Sequence, residues 1–132
     1  MRFLNYIIKD RYTGSNIGHQ GGKIKDEKER EKYIDWLMDL EFEILKVPKP
    51  DLNIVILAPI DVIVRRIRER HGGNDSHEAN IEHLKRAQES YVWVAKKYPD
   101  YYKIVDGADK NGTELTKEQV HEMVWNIVKK AL

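Results

Sequence analysis

Residues 10–22 read Asp-Arg-Tyr-Thr-Gly-Ser-Asn-Ile-Gly-His-Gln-Gly-Gly, directly after an apolar run from Phe3 to Ile8. A carboxylate beside a guanidinium suits phosphoryl transfer, which needs cations on the moving phosphoryl group and a carboxylate to hold Mg²⁺ or orient the acceptor. Asp10 and Arg11 can supply both. On their own they read more simply as a turn cap and a surface ion pair. Ser15, Asn16, His19 and Gln20 follow within two helical turns, and an Asn or Gln amide both donates and accepts, as reading a base edge requires. The plainer meaning is a capped helix start. A second group, Arg66, Arg68, Arg70 and His71, stands just before Gly72-Gly73. It reads either as a lid that closes cations on phosphates, with glycines allowing the motion, or as a solvated helix face. His77, His83 and His121 suggest a metal, but His77 and His83 do not share a helix face, so structural or surface histidines are the better reading. Trp36, Trp93 and Trp125 fall on predicted helices and are assigned to core or interface packing.

These residues need elements to hold them. Phe3–Ile8 reads as a strand, which puts Asp10 and Arg11 at its carboxyl end, where ligands of open α/β sheets gather. Asp10–Lys23 is polar and glycine-containing, helical around Ser15–Gln20. A helix is expected over Asp26–Lys46, with Tyr33, Trp36, Leu37, Leu40, Ile44 and Val47 recurring at three- and four-residue steps on one apolar face. Pro48 and Pro50 stop it. Leu52–Leu57 is apolar nearly throughout, as a strand covered on both faces should be. Asp61–Arg70 is a helix with Ile63, Val64 and Ile67 inward and its arginines mostly outward. His77–Tyr98 is a long helix with Ile81, Leu84, Tyr91, Val94 and Ala95 on the apolar side. Tyr102–Val105 is a strand closed by Asp106-Gly107. Thr116 with Gln119 makes a capping box for a last helix reaching Leu132. Strands alternating with helices predict an α/β fold, a three-layer α/β/α arrangement with about three parallel strands.

The bulk numbers narrow the class. With 132 residues, 41% hydrophobic and 34% charged, the chain is one domain, 1–132, long enough to bury a core. Its net charge of +1 gives no global field to recruit nucleic acid or an anionic membrane. No apolar stretch approaches the roughly 20 residues of a membrane helix, and the N-terminus does not read as a signal peptide. Cysteine is absent, which removes disulfides and thiolate chemistry and suits a cytoplasmic location.

The run Asp-Arg-Tyr-x-x-Ser-Asn-x-x-x-Gln-Gly resembles the signature of the thymidylate kinases. Further matches follow in order. Pro48 to Leu57 is similar to that family's Pro-Lys-Pro-Asp-Leu strand, and Arg66, Ile67 and Arg70 match its arginine helix. Asp75 to Glu78 resembles the stretch after its lid, Arg86 and Tyr91 occupy its next helix, and Ile104-Val105-Asp106 leads to its adenine loop. The resemblance implies a P-loop kinase fold and Mg²⁺-dependent transfer of the ATP γ-phosphoryl group to dTMP, giving dTDP. It implies Asp10 near Mg²⁺ and the acceptor phosphate, Arg11 on phosphates, and Arg66 and Arg70 in a lid around residues 66–78. Tyr12, Ser15, Asn16, His19, Gln20 and Tyr91 would bind substrate, with Asn16 facing the thymine, and Asp106 and Gly107 would lie beside the ATP. His19 departs from the Tyr or Phe usual at its position, which sits near the sugar and disfavours a ribose hydroxyl.

No Gly-x-x-x-x-Gly-Lys-Ser/Thr stands in the chain, and Gly21-Gly22-Lys23 does not substitute for it. The expectation is therefore a shortened form of the fold, needing a separate P-loop half for activity, with sheet edges that invite a homodimer or a complementary P-loop chain. Two other readings stand beside it. One is a non-catalytic nucleotide-binding or assembly module, and the other is a related kinase for a different small phosphate acceptor.

Overall fold

The computed structural model describes residues 6–71 and 78–132. The order is α1 (Gly14–Gly21), α2 (Glu27–Met38) running into a π-helical turn (Asp39–Ile44), β1 (Asn53–Leu57), α3 (Ile60–His71), α4 (Glu78–Lys97), β2 (Tyr102–Asp106) and α5 (Lys117–Ala131). β1 and β2 pair in parallel, from Asn53 opposite Tyr102 to Leu57 opposite Asp106. A parallel pair needs a long crossover, and α3 and α4 occupy it. With α4 and α5 both against β2, this is an α/β architecture with a short parallel sheet flanked by helices, consistent with part of a P-loop kinase fold.

The core gathers where α1, α2 and α4 meet β2. Ile17, Ile34, Leu37, Val94 and Tyr102 form one buried cluster, and Tyr33, Met38, Tyr91 and Trp93 pack around it. Local signals set the element ends. Asp26 caps α2 by accepting from the Glu29 amide at 2.9 Å. Thr116 and Gln119 bond reciprocally at 3.2 and 2.8 Å, so the expected capping box opens α5.

Three expectations change. The described part of the predicted first strand, Tyr6–Ile8, has no regular structure, and Ile7 and Ile8 are 88% and 93% exposed; Phe3–Asn5 lie outside the described residues. The sheet therefore has two strands among the described residues rather than about three. An apolar run becomes a strand only beside a partner ladder that satisfies its backbone groups, and none stands beside it there.

The second change concerns α2. Its buried residues are Arg30, Ile34 and Leu37, continued by Glu41 and Phe42 in the π turn, while Trp36 and Ile44 are exposed. Of the expected face Tyr33, Trp36, Leu37, Leu40, Ile44 and Val47, Leu37 is buried and Tyr33 packs against the core, but the stripe turns toward Arg30 and Glu41, because two charged residues find partners there. Arg30 binds Glu89 at 2.7 Å and the Ile24 carbonyl at 3.2 Å, and Glu41 accepts from Asn16. Buried charge is tolerated when so partnered.

The third concerns the tryptophans. Trp93 packs against the core as expected, whereas Trp36 and Trp125 are exposed, which excludes core packing for those two. The expected lid glycines, together with Asp75, Ser76 and His77, lie outside the described residues.

Candidate functional site

The short helix α1 organises the site. Arg11 precedes it with φ of 62°, a left-handed conformation that costs a non-glycine residue on the order of 1 kcal/mol. From there its guanidinium reaches along the helix, and Nη1 donates to His19 Nε2 at 3.2 Å. A guanidinium only donates, so Nε2 accepts and the ring proton of His19 sits on Nδ1.

Tyr91 of α4 closes the other side. Its ring lies on Gly18, where a Cβ would stand 2.4 Å from the ring, so only glycine permits this approach. Burial pushes the Tyr91 hydroxyl above its ordinary pKa, and the Arg11 charge and a hydrogen bond with the Gly18 backbone offset part of that rise. Arg11, His19 and Tyr91 are therefore brought together. Asn16 and His19 are three residues apart on α1, so they share a face. The Asn16 amide donates to Glu41 Oε1 at 2.9 Å.

The other expected site residues have different surroundings. Asp10 is exposed at the bend before Arg11. The Tyr12 hydroxyl donates to the Pro48 carbonyl at 3.2 Å. Ser15 is half-buried in the first turn of α1, its amide bonded to the Tyr12 carbonyl at 2.9 Å. Gln20 is exposed and accepts from Lys23 at 3.1 Å. Arg86 fastens α4 to the end of α1, donating to the Gly22 carbonyl at 2.8 Å.

A second cluster forms at the carboxyl end of the sheet. Asp106 is exposed there and Gly107 is buried. The Gly107 amide donates to the Leu57 carbonyl at 2.6 Å, and its carbonyl accepts from the Leu115 amide at 2.9 Å. A Cβ at Gly107 would come within 2.9 Å of the Leu57 oxygen, so the glycine lets the two strand ends close up. Arg65 and Arg66 of α3 both bind the Glu114 carboxylate, while Arg70 is exposed one turn on. The structure thus sets Arg66 against the loop after β2, and Arg11 against α1 and α4.

Two partners were not named from the sequence, Glu41 and Glu114. A charged residue inside an amphipathic helix reads as solvent-facing. Only the spacing Arg30, Ile34, Leu37, Glu41 hinted at a shared stripe. For Glu114, in a polar loop, there was no signal. Among the described residues no group of three or more His, Cys, Asp and Glu gathers to hold a metal ion, and no helix is long and apolar enough to cross a membrane.

No family model matches the chain. It is 32% identical over 128 residues to a protein of Saccharolobus solfataricus named probable thymidylate kinase 1, covering 96% of this chain and 56% of that protein. It is 29% identical over 123 residues to a probable thymidylate kinase of Pyrobaculum aerophilum, covering 93% and 56%. A thymidylate kinase of Kosmotoga olearia is 27% identical over 119 residues, covering 89% and 51%. The chain spans about half the length of the curated relatives it matches. By sequence, the chain is a homologue of the thymidylate kinases, aligned along nearly all of its own length with about half of each of theirs.

Proposed function

We propose that these residues form the acceptor side of a thymidylate kinase, binding dTMP for Mg²⁺-dependent transfer of the ATP γ-phosphoryl group to give dTDP. One observation carries the reading: the Arg11 guanidinium, just before α1, reaches the His19 imidazole on that helix, whose face also carries the Asn16 amide, with the Tyr91 ring packed on Gly18 of the same helix. Arg11 would grip the acceptor phosphate, Asn16 would read the base with Gln20 nearby, and His19, Tyr12, Ser15 and Tyr91 would line the nucleotide. Arg66 and Arg70 would close from α3 onto the phosphates once Arg66 leaves Glu114. Asp106 and Gly107 would lie beside the ATP. No P-loop motif stands in the 132 residues, so the ATP cradle would come from residues other than these.

The donor set fits Mg²⁺ in a limited way. Asp10 is a single exposed carboxylate, which suits an ion carried mainly by nucleotide phosphates rather than a protein cage. When bound, the ion would neutralise charge developing on the phosphates. Asp10 would hold it or orient the acceptor.

Calorimetric titration tests the proposal. Saturable dTMP binding with little ATP binding is expected; no response to dTMP would overturn it. A second reading, an assembly module without catalysis, draws on the exposed apolar residues Ile56 and Trp125, 55% and 45% exposed. A stable oligomer indifferent to nucleotides would favour it, and binding of another nucleotide in preference would favour a related kinase of different specificity.

A further inference from the structure

Glu41 is the one buried carboxylate among the described residues, 7% exposed. It sits in the π-helical turn, where the Leu45 amide reaches back to the Leu40 carbonyl at 2.8 Å. Such turns interrupt the regular helical ladder and re-aim side chains. Its Oε1 accepts from Asn16 Nδ2 at 2.9 Å. Burial, and then the Glu41 charge, push the Tyr102 phenol up.

The chemistry of this bond is directional. A carboxylate accepts and does not donate, so it selects the nitrogen end of the Asn16 amide. Among the described residues no donor is bonded to Asn16 Oδ1, and Asn16 itself is exposed. An unrestrained amide can turn over and show either N–H or oxygen at a given point. With Nδ2 held by Glu41, one of those two orientations is removed.

We propose that Glu41 is a positioning residue that locks the Asn16 amide with its oxygen offered to the ligand. The site would then prefer an imide-type pyrimidine, whose ring N3–H donates, over an amino-pyrimidine, whose ring N3 accepts. The inference rests on the nucleotide reading of α1 made above. The wrong base would leave two acceptors facing each other, and a lost or mismatched hydrogen bond of this kind changes affinity by about tenfold.

The test is competitive titration of the full chain with dTMP and dCMP, for the parent and for Glu41→Gln. Glutamine keeps the size but can donate as well as accept, so it permits the turned amide. The parent should favour dTMP by about tenfold, and Glu41→Gln should lower that ratio at least about threefold. A merely structural Glu41 would weaken both nucleotides together and leave the ratio unchanged, which overturns the proposal. A parent that binds both equally also overturns it while sparing the nucleotide reading. A parent that binds neither overturns both.

Nitrogen-edited NMR of the parent supplies a second measurement that does not depend on the variant folding. The Asn16 side-chain amide proton bonded to Glu41 should resist solvent exchange with and without dTMP. Rapid exchange would show that no lock exists.

Discussion

At the scale of single residues, two side chains carry measurable consequences. Tyr102 is buried beside Glu41, and burial with that negative charge pushes its phenol up to about 12. A pKa raised on folding stabilises the fold fully below the unfolded value near 10, and the contribution is lost as pH rises through the folded value. Roughly 2–3 kcal/mol is at stake across that window. Tyr102→Phe should therefore flatten the loss of stability between about pH 10 and 12 in urea unfolding; a parent and variant falling in parallel would contradict the burial argument. Arg11 offers the opposite kind of test. Its φ of 62° favours glycine, so Arg11→Gly should hold or raise the unfolding free energy, by up to about 1 kcal/mol. The same change removes the guanidinium and should weaken dTMP binding about tenfold or more, as loss of a charge-assisted bond does. Loss of both stability and affinity would instead mark Arg11 as a structural residue.

At the scale of elements, the contact between α1 and α4 positions the site. Gly18 lets the Tyr91 ring lie on the α1 backbone, with the virtual Cβ 2.4 Å from the ring. In an isolated helix Gly18→Ala would help by about 1 kcal/mol. Here overpacking should outweigh that gain and destabilise the chain by about 1–2 kcal/mol, read from the urea midpoint. A variant as stable as the parent would mean that the ring moves aside freely. The glycine and the tyrosine were each visible in the chain, and both helices were expected; their mutual contact was not, because no local pattern relates residues so far apart in sequence. The same limit applied to α2. Its helical period was legible, but the buried face turned out to be Arg30–Ile34–Leu37–Glu41, set by Glu89 on α4 and Asn16 on α1.

At the scale of the molecule, the sheet, two-stranded among the described residues, leaves apolar surface uncovered. Ile56 on β1 is 55% exposed, and Ile7 and Ile8 are exposed before α1. Unpaired strand edges with apolar side chains favour pairing with another chain. Sedimentation velocity over a concentration series should show self-association, and Ile56→Lys should reduce it with little change in melting temperature. A chain that stays monomeric throughout would argue that this surface needs no partner.

The order of residues by itself determined the helix periods, the two strands Asn53–Leu57 and Tyr102–Asp106, the proline and capping boundaries, the parallel α/β class and the resemblance to the thymidylate kinases that its homologues support. These follow from local chemistry, which acts over a few residues. Tertiary structure alone decided which charges go inside, that Arg66 is met by Glu114, that Arg11 curls onto His19, and that Asn16 is held by Glu41. Whether a charged side chain is buried depends on a partner delivered by another element, and only the packed chain supplies it.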